Sequence, residues 1–209
     1  MINTIVPSPL NDYVGQFCLG ISTADPVYVP IRRTWWAKKS ECFPNVERMI
    51  KSKGGTLETG WQIWEWPDVF IEAEFHGIWI SPVGERRDIT PKPKRFPNIL
   101  FLPDTQRQYQ GRQVDNIREP LQDDRVIKDF LAVRAAIFLV LNKGDRANQN
   151  GVVSIPPQEI KPLMIANDFL YAMLRAGLRE QDECGCQRGE IYKQCCGTVI
   201  AELLEQQAN

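Results

Sequence analysis

The chain has 209 residues, of which 43% are apolar and 24% charged, with a formal net charge of -1. That length builds one core, or one core with a small satellite, and the near-neutral balance excludes nucleic-acid or membrane binding by bulk charge alone. No apolar run approaches the ~20 residues of a membrane span, and Met1 to Leu10 lack the basic and apolar regions of a signal peptide, so the expected compartment is the cytoplasm.

Residues 1–34 carry scattered apolar residues among Pro7, Pro9, Pro26 and Pro30. They read as extended packing and short strands, with Tyr28 to Ile31 the best strand, and Cys18 as an ordinary buried thiol. Ser40 to Lys53 reads as a helix. Ser40 stands at its N-cap, Pro44 fits the first turn, Val46, Met49 and Ile50 form a stripe, and Gly54-Gly55 stops it. Residues 56–66 and 69–80 alternate as paired strands around a turn at Trp66-Pro67-Asp68, and a third strand is expected from Glu85 to Thr90. Five tryptophans (Trp35, Trp36, Trp61, Trp64, Trp66) precede and enter this meander, and Trp79 follows. Such a cluster marks a dense core or an aromatic pocket.

Residues 91–122 predict a long, loop-rich connection with one strand-like stretch at Ile99 to Leu102. Asp124 to Leu141 predicts a helix with one apolar face, and Lys143 to Gly151 a polar loop. Pro157 to Gly177 predicts a second helix and Thr198 to Gln206 a short last one. The expected fold class is α+β: a helix, an antiparallel meander, and a helical C-terminal half ending in a zinc knuckle. The expected divisions are an α+β domain over 1–122, a helical part over 123–180, and the knuckle over 181–209.

Four cysteines, Cys184, Cys186, Cys195 and Cys196, fall as C-x-C, eight residues, then C-C. Four thiolates in one short hairpin can close a tetrahedral zinc shell. A disulfide pair would need an oxidising compartment, for which no secretory segment argues. Cys184, Cys186, Tyr192, Lys193, Cys195, Cys196 and Gly197 together resemble the SEC-C motif, a zinc knuckle at the C-terminus of the SecA translocase ATPase and of other bacterial proteins. Gly185 stands where that motif usually has Pro, and Gln187-Arg188-Gly189 where it usually has Gly-Ser-Gly. The resemblance implies a bound Zn2+ and a docking surface for a protein partner. Arg175, Arg179, Arg188 and Lys193 near the knuckle make a nucleic acid conceivable. Glu180, Asp182, Glu183 and Glu190 interrupt that positive stripe.

His76 is the only histidine of the chain. On a strand, Glu72, Glu74 and His76 share one face, while Ile71, Ala73, Phe75 and Gly77 take the other. Ionisable side chains are costly to bury unpaired, so the polar face should open onto solvent or a site. Cys42 lies in the first turn of its helix, where the N-terminus favours a thiolate. His76 can serve as its base and Asp88 as the group that orients the imidazole. A cysteine at a helix start, then His76-Gly-Ile-Trp79, a Pro/Gly turn and Asp88-Ile-Thr-Pro91 resemble transglutaminase-like and papain-like thiol enzymes. That resemblance implies Cys42 as nucleophile, His76 as base then acid, Asp88 as orienter, and a cysteine-dependent amide hydrolase or transferase such as a peptidase or deamidase. Two other readings stand beside it. Glu65, Glu72 and Glu74, with His76 and Asp88, are either surroundings of the thiol site or the ligands of a metal-dependent hydrolase. In the other reading the chain is a non-catalytic zinc-binding adaptor.

Overall fold

A computed structural model describes residues 3–148 and 153–208. The end of the expected polar loop, 149–151, lies outside them, as do the first two residues. The chain is α+β and divides into two compact units. One comprises Thr4–Glu65 with Ile71–Gln110, and the other Trp66–Phe70 with the chain from Gly111 on. These limits cut through the β-hairpin rather than falling at 122 or 180, and the cysteine segment belongs to the second unit rather than forming one of its own.

The first unit holds α1 (Asp12–Leu19), β1 (Val27–Pro30), α2 (Cys42–Lys53), β4 (Arg86–Arg87), β5 (Asn98–Pro103) and most of β2 (Thr56–Trp66) and β3 (Phe70–Ile80). The paired strands β2 and β3 lie where alternation predicts them. Asp68, at φ 61°, makes the turn between them together with a 3.0 Å bond from Val69 N to Trp66 O. The N-terminal segment departs from an all-extended reading. Asn11 accepts a hydrogen bond from Val14 N at 3.1 Å and starts α1, which buries Val14, Phe17 and Cys18.

The expected meander is also reordered. The strand after β3 shrinks to two residues, and β5 inserts between β1 and β2, giving the order β1-β5-β2-β3-β4. β5 runs antiparallel to both neighbours, with Val29 opposite Ile99 and Gln62 opposite Phe101. Beyond β4 the chain crosses to the other edge of the sheet. Asp88 N donates to Pro30 O at 3.0 Å, and Arg32 N donates to Asp88 O at 2.7 Å. A single bridge between Ile31 and Asp88, just beyond β1 and β4, thus joins the two edges of the sheet at one point.

β3 is buried on both faces because apolar side chains cover one and helix α2 the other. His76 keeps 3% of its surface and Glu72 5%, so the polar face does not open onto solvent as alternation suggested. Val29, Ile78, Ile99 and Phe101 fill one side of the sheet. Helix α2 covers the other side, packing Val46 and Met49 against Trp79 and Ile89. Each such side chain contributes about 1.5–3 kcal/mol on burial.

In the second unit, β6 (Ile117–Pro120) leads to Leu121, whose N donates to Val69 O at 2.9 Å. Helices α3 (Arg125–Leu141), α4 (Pro157–Arg175) and α5 (Cys196–Ala208) follow. Asp124 caps α3 through Val126 N and Ile127 N. Phe130, Val133, Leu163, Leu170 and Tyr192 lie in one apolar core with Cys184 and Cys195. Among the described residues no helix is long and apolar enough to cross a membrane.

Candidate active site and metal centre

Cys42 is the first residue of α2, with Glu41 at the N-cap and no side chain capping the helix. Ser40 does not cap it; at φ 58° it turns the chain into the helix from outside. The role of tying down this end falls to Asn45. Its Oδ1 accepts from Lys38 N at 3.0 Å, and its Nδ2 donates to Lys38 O at 2.8 Å. An uncapped helix start presents unclaimed N–H groups and the positive end of the helix dipole to the half-buried thiol.

His76 reaches this point from β3. Its Nε2 lies 3.2 Å from Asp88 Oδ1, and the ring also interacts with the Cys42 thiol. Asp88 Oδ1 also accepts from Thr90 N at 2.9 Å, fixing the carboxylate. Gly77 permits the approach of helix and strand. A Cβ there would stand 2.9 Å from the Phe43 ring and from Leu57 Cδ1.

Two further buried groups complete the cluster. Lys92 Nζ lies 2.8 Å from Asp88 Oδ2, donates to Gln62 Oε1 at 2.6 Å and stands 3.4 Å from His76 Nε2. Neither Lys92 nor Gln62 stands out in the sequence. Lys92 sits in Pro-Lys-Pro-Lys, a string without periodicity, and Gln62 is one residue of a Trp-rich strand. Only the parity of Gln62, Glu72, Glu74 and His76 along paired strands could have marked one shared face. The ring of Tyr109 stacks on Phe43 with centroids 3.8 Å apart, beside the thiol.

The electrostatics follow from this packing. Burial of the Cys42 thiol opposes its ionisation, but the charge and hydrogen bond of His76 and a hydrogen bond to the Gly77 backbone outweigh it, and its pKa falls below 9.0. For His76, burial and the neighbouring Lys92 disfavour the imidazolium. Cys42 and Asp88 favour it more, and its pKa is pushed up to about 9. Burial pushes the Asp88 carboxyl up, while His76 and Lys92 together hold it well below the usual carboxylate range. Each of Cys42, His76 and Asp88 is thus biased toward its charged form by an oppositely charged neighbour, which is the condition under which buried charges are tolerated.

The glutamates do not assemble into a metal site. Glu65 accepts from Tyr13 OH, and Glu74 accepts from Trp64 Nε1 at 2.9 Å. Among the described residues the one group of three or more His, Cys, Asp or Glu with metal-binding proximity is Cys184, Cys186, Cys195 and Cys196.

Those four side chains place their Sγ atoms within 4.8 Å of one another, and Cys186 and Cys195 stand 3.3 Å apart. A tetrahedral ion with metal–sulfur bonds of about 2.3 Å needs sulfurs about 3.8 Å apart, so small side-chain adjustments suffice for a metal ion to be held. All four cysteines are free thiols. The hairpin is set by Cys184 N donating to Glu190 O at 2.8 Å and Gln187 N to Cys184 O at 2.9 Å. Below it, the Tyr192 hydroxyl donates to Asp129 Oδ2 at 2.7 Å, and Arg125 pairs with Asp129 Oδ1 at 2.7 Å. Asp124 Oδ2 accepts from Glu180 N at 2.9 Å, and Glu180 accepts from Arg125 N at 3.0 Å. The cluster is thus tied to the start of α3.

No protein-family model, curated protein or solved structure matches this chain.

Proposed function

We propose that the chain is a cysteine-dependent amide hydrolase or amide transferase with a zinc-binding docking module. The carrying observation is the Cys42–His76–Asp88 arrangement, a nucleophile at a helix start beside a base that meets a carboxylate 3.2 Å away. In this reading the Cys42 thiolate attacks the carbonyl carbon of a carboxamide, and the electron pair moves to oxygen. As the tetrahedral adduct collapses, the His76 imidazolium gives a proton to the departing amine, leaving a thioester on Cys42. His76, now neutral, takes a proton from water in hydrolysis, or from a second amine in transfer. The acyl group leaves, and the thiolate–imidazolium pair is restored. Asp88 fixes the ring and favours its charged form throughout.

Zn2+ is the ion proposed for the four thiolates, because an all-sulfur tetrahedral set is typical of closed structural zinc sites. When bound, the metal would cross-link the hairpin and supply fold stability rather than chemistry. The resemblance to the SEC-C motif supports a docking role toward a protein partner.

The test is alkylation of intact protein by iodoacetamide, with peptide mapping across pH, followed by a screen of carboxamide substrates. Cys42 should react at pH values below those of an ordinary thiol, and Cys42→Ala should fold and be inert. A Cys42 that reacts only above the ordinary thiol range would reject the enzyme reading and leave the adaptor.

A further inference from the structure

The loop just ahead of Cys42 reads Arg32-Arg33-Thr34-Trp35-Trp36-Ala37-Lys38-Lys39. Its two indoles are treated in opposite ways. Trp36 is partly buried against the α2 cluster and lies under the Arg48 guanidinium, 4.6 Å from ring to Cζ. Trp35 is 93% exposed. The loop is not slack. Ala37 N donates to Thr34 O at 3.3 Å, and Asn45 clamps the Lys38 backbone from both sides. Trp35 is therefore presented outward by a fixed backbone, against the usual gain from burying an aromatic ring.

The surroundings of Trp35 are cationic. Arg33 Nη2 donates to Lys94 O at 3.4 Å, which sets a second basic segment, Lys94-Arg95, beside the first. Arg32, Arg33, Lys38, Lys39, Lys94 and Arg95 are all exposed. Lys38 stands 3.7 Å from Glu41, and among the described residues no carboxylate pairs with the others. The whole chain is near neutral, so this local excess is a patch rather than a property of the surface at large.

We propose that the Arg32–Lys39 loop with Lys94-Arg95 binds single-stranded nucleic acid. A single strand uses both features of the patch. Its phosphates accept from the guanidinium and ammonium groups, and an unpaired base stacks on the Trp35 face. An acidic peptide would use the charges and leave the indole without a partner. A duplex hides its base faces. A lipid surface would gain one inserted ring flanked on both sides by charges.

The experiment is a titration of the full chain with a thymidine homo-oligonucleotide at low salt, followed by tryptophan emission and by anisotropy of a labelled oligonucleotide. Emission should be quenched on binding. Trp35→Ala, a surface change that leaves thermal stability intact, should weaken binding about 5- to 150-fold, the equivalent of one stacked base. Lys39→Glu should weaken it further and make the slope of log affinity against log salt shallower by about 0.7 for each phosphate that is no longer neutralised. Cys42→Ala should bind like the parent, so the result is independent of the thiol chemistry. The proposal is overturned if Trp35→Ala and Lys39→Glu bind as the parent does, or if duplex DNA of equal length binds as tightly. It is also overturned if anionic vesicles shift the Trp35 emission while the oligonucleotide leaves it unchanged.

Discussion

At the residue scale the site turns on how Cys42, His76, Asp88 and Lys92 bias one another's ionisation. Lys92 opposes the imidazolium, while Asp88 and Cys42 favour it. Of the remaining titratable groups, Glu74 acts on Cys42 against its thiolate, and the Tyr109 hydroxyl is pushed up by burial and by Cys42. Because His76 is the only histidine, a proton NMR titration of its ring reports one unambiguous value. In Lys92→Met that value should rise above the parent's, since the opposing cation is gone. In Cys42→Ala it should fall, since the thiolate is gone. Lys92→Met should also cost about 3–5 kcal/mol in denaturant unfolding, as removing one partner of a buried pair does, and Lys92→Arg should restore part of that. An unchanged His76 titration in a folded Lys92→Met protein would remove Lys92 from the site's electrostatics. The linkage has a definite sign. His76 has a folded pKa of about 9 against 6.5 unfolded, so its contribution is fully present below pH 6.5 and is lost as pH rises through 9. Cys42, whose pKa is lowered from 9.0, contributes in the opposite sense, so the two offset across that window, and His76→Gln should remove the falling contribution from the pH dependence of unfolding.

At the scale of the element, the strand pair around Trp66-Pro67-Asp68 and the helices of the C-terminal half are legible in the sequence because periodicity and turn chemistry state them directly. The approach of α2 to β3 is not. It depends on Gly77, whose missing side chain leaves room for Phe43 and Leu57. Gly77→Ala should push α2 off the strand, costing about 1–3 kcal/mol by overpacking and slowing Cys42 alkylation more than that loss of stability explains. Equal alkylation rates in parent and variant would show that the helix start is held by other contacts. The position of β5 is hidden for a different reason. Its apolar string announces a strand, but nothing local says that it returns to pair with β2. Helix α1 is hidden by the prolines on either side, and its one signal is Asn11 as cap. Lys92 is hidden because an isolated lysine between prolines carries no pattern; only the folded sheet gives it its partners.

At the scale of the whole molecule, the two units separate two kinds of chemistry: a thiol cluster in one and a four-cysteine cluster in the other. The cysteine spacing makes the second legible from sequence alone, since its four thiols lie in one short segment. Its attachment is not, because Tyr192 to Asp129 and Glu180 to Asp124 span the second unit. Removal of metal by a chelator should therefore loosen α5 and the start of α3 together while leaving the His76 titration unaltered. Atomic emission on purified protein should give one zinc per chain. Cys195→Ser should lower the metal content and the melting temperature of the second unit alone. A chelator that moved the His76 signal would show that the units are energetically joined.

The seam that joins the two edges of the sheet has a kinetic consequence. The backbone of Asp88 is hydrogen-bonded on both sides to the chain at Pro30 and Arg32, while its side chain orients His76. Each transient parting of that seam would withdraw the carboxylate from the imidazole. The amide protons of Arg32 and Asp88 would then exchange with solvent deuterium at the frequency with which the site disarms itself, and the slowest exchange would belong to the most persistently armed protein.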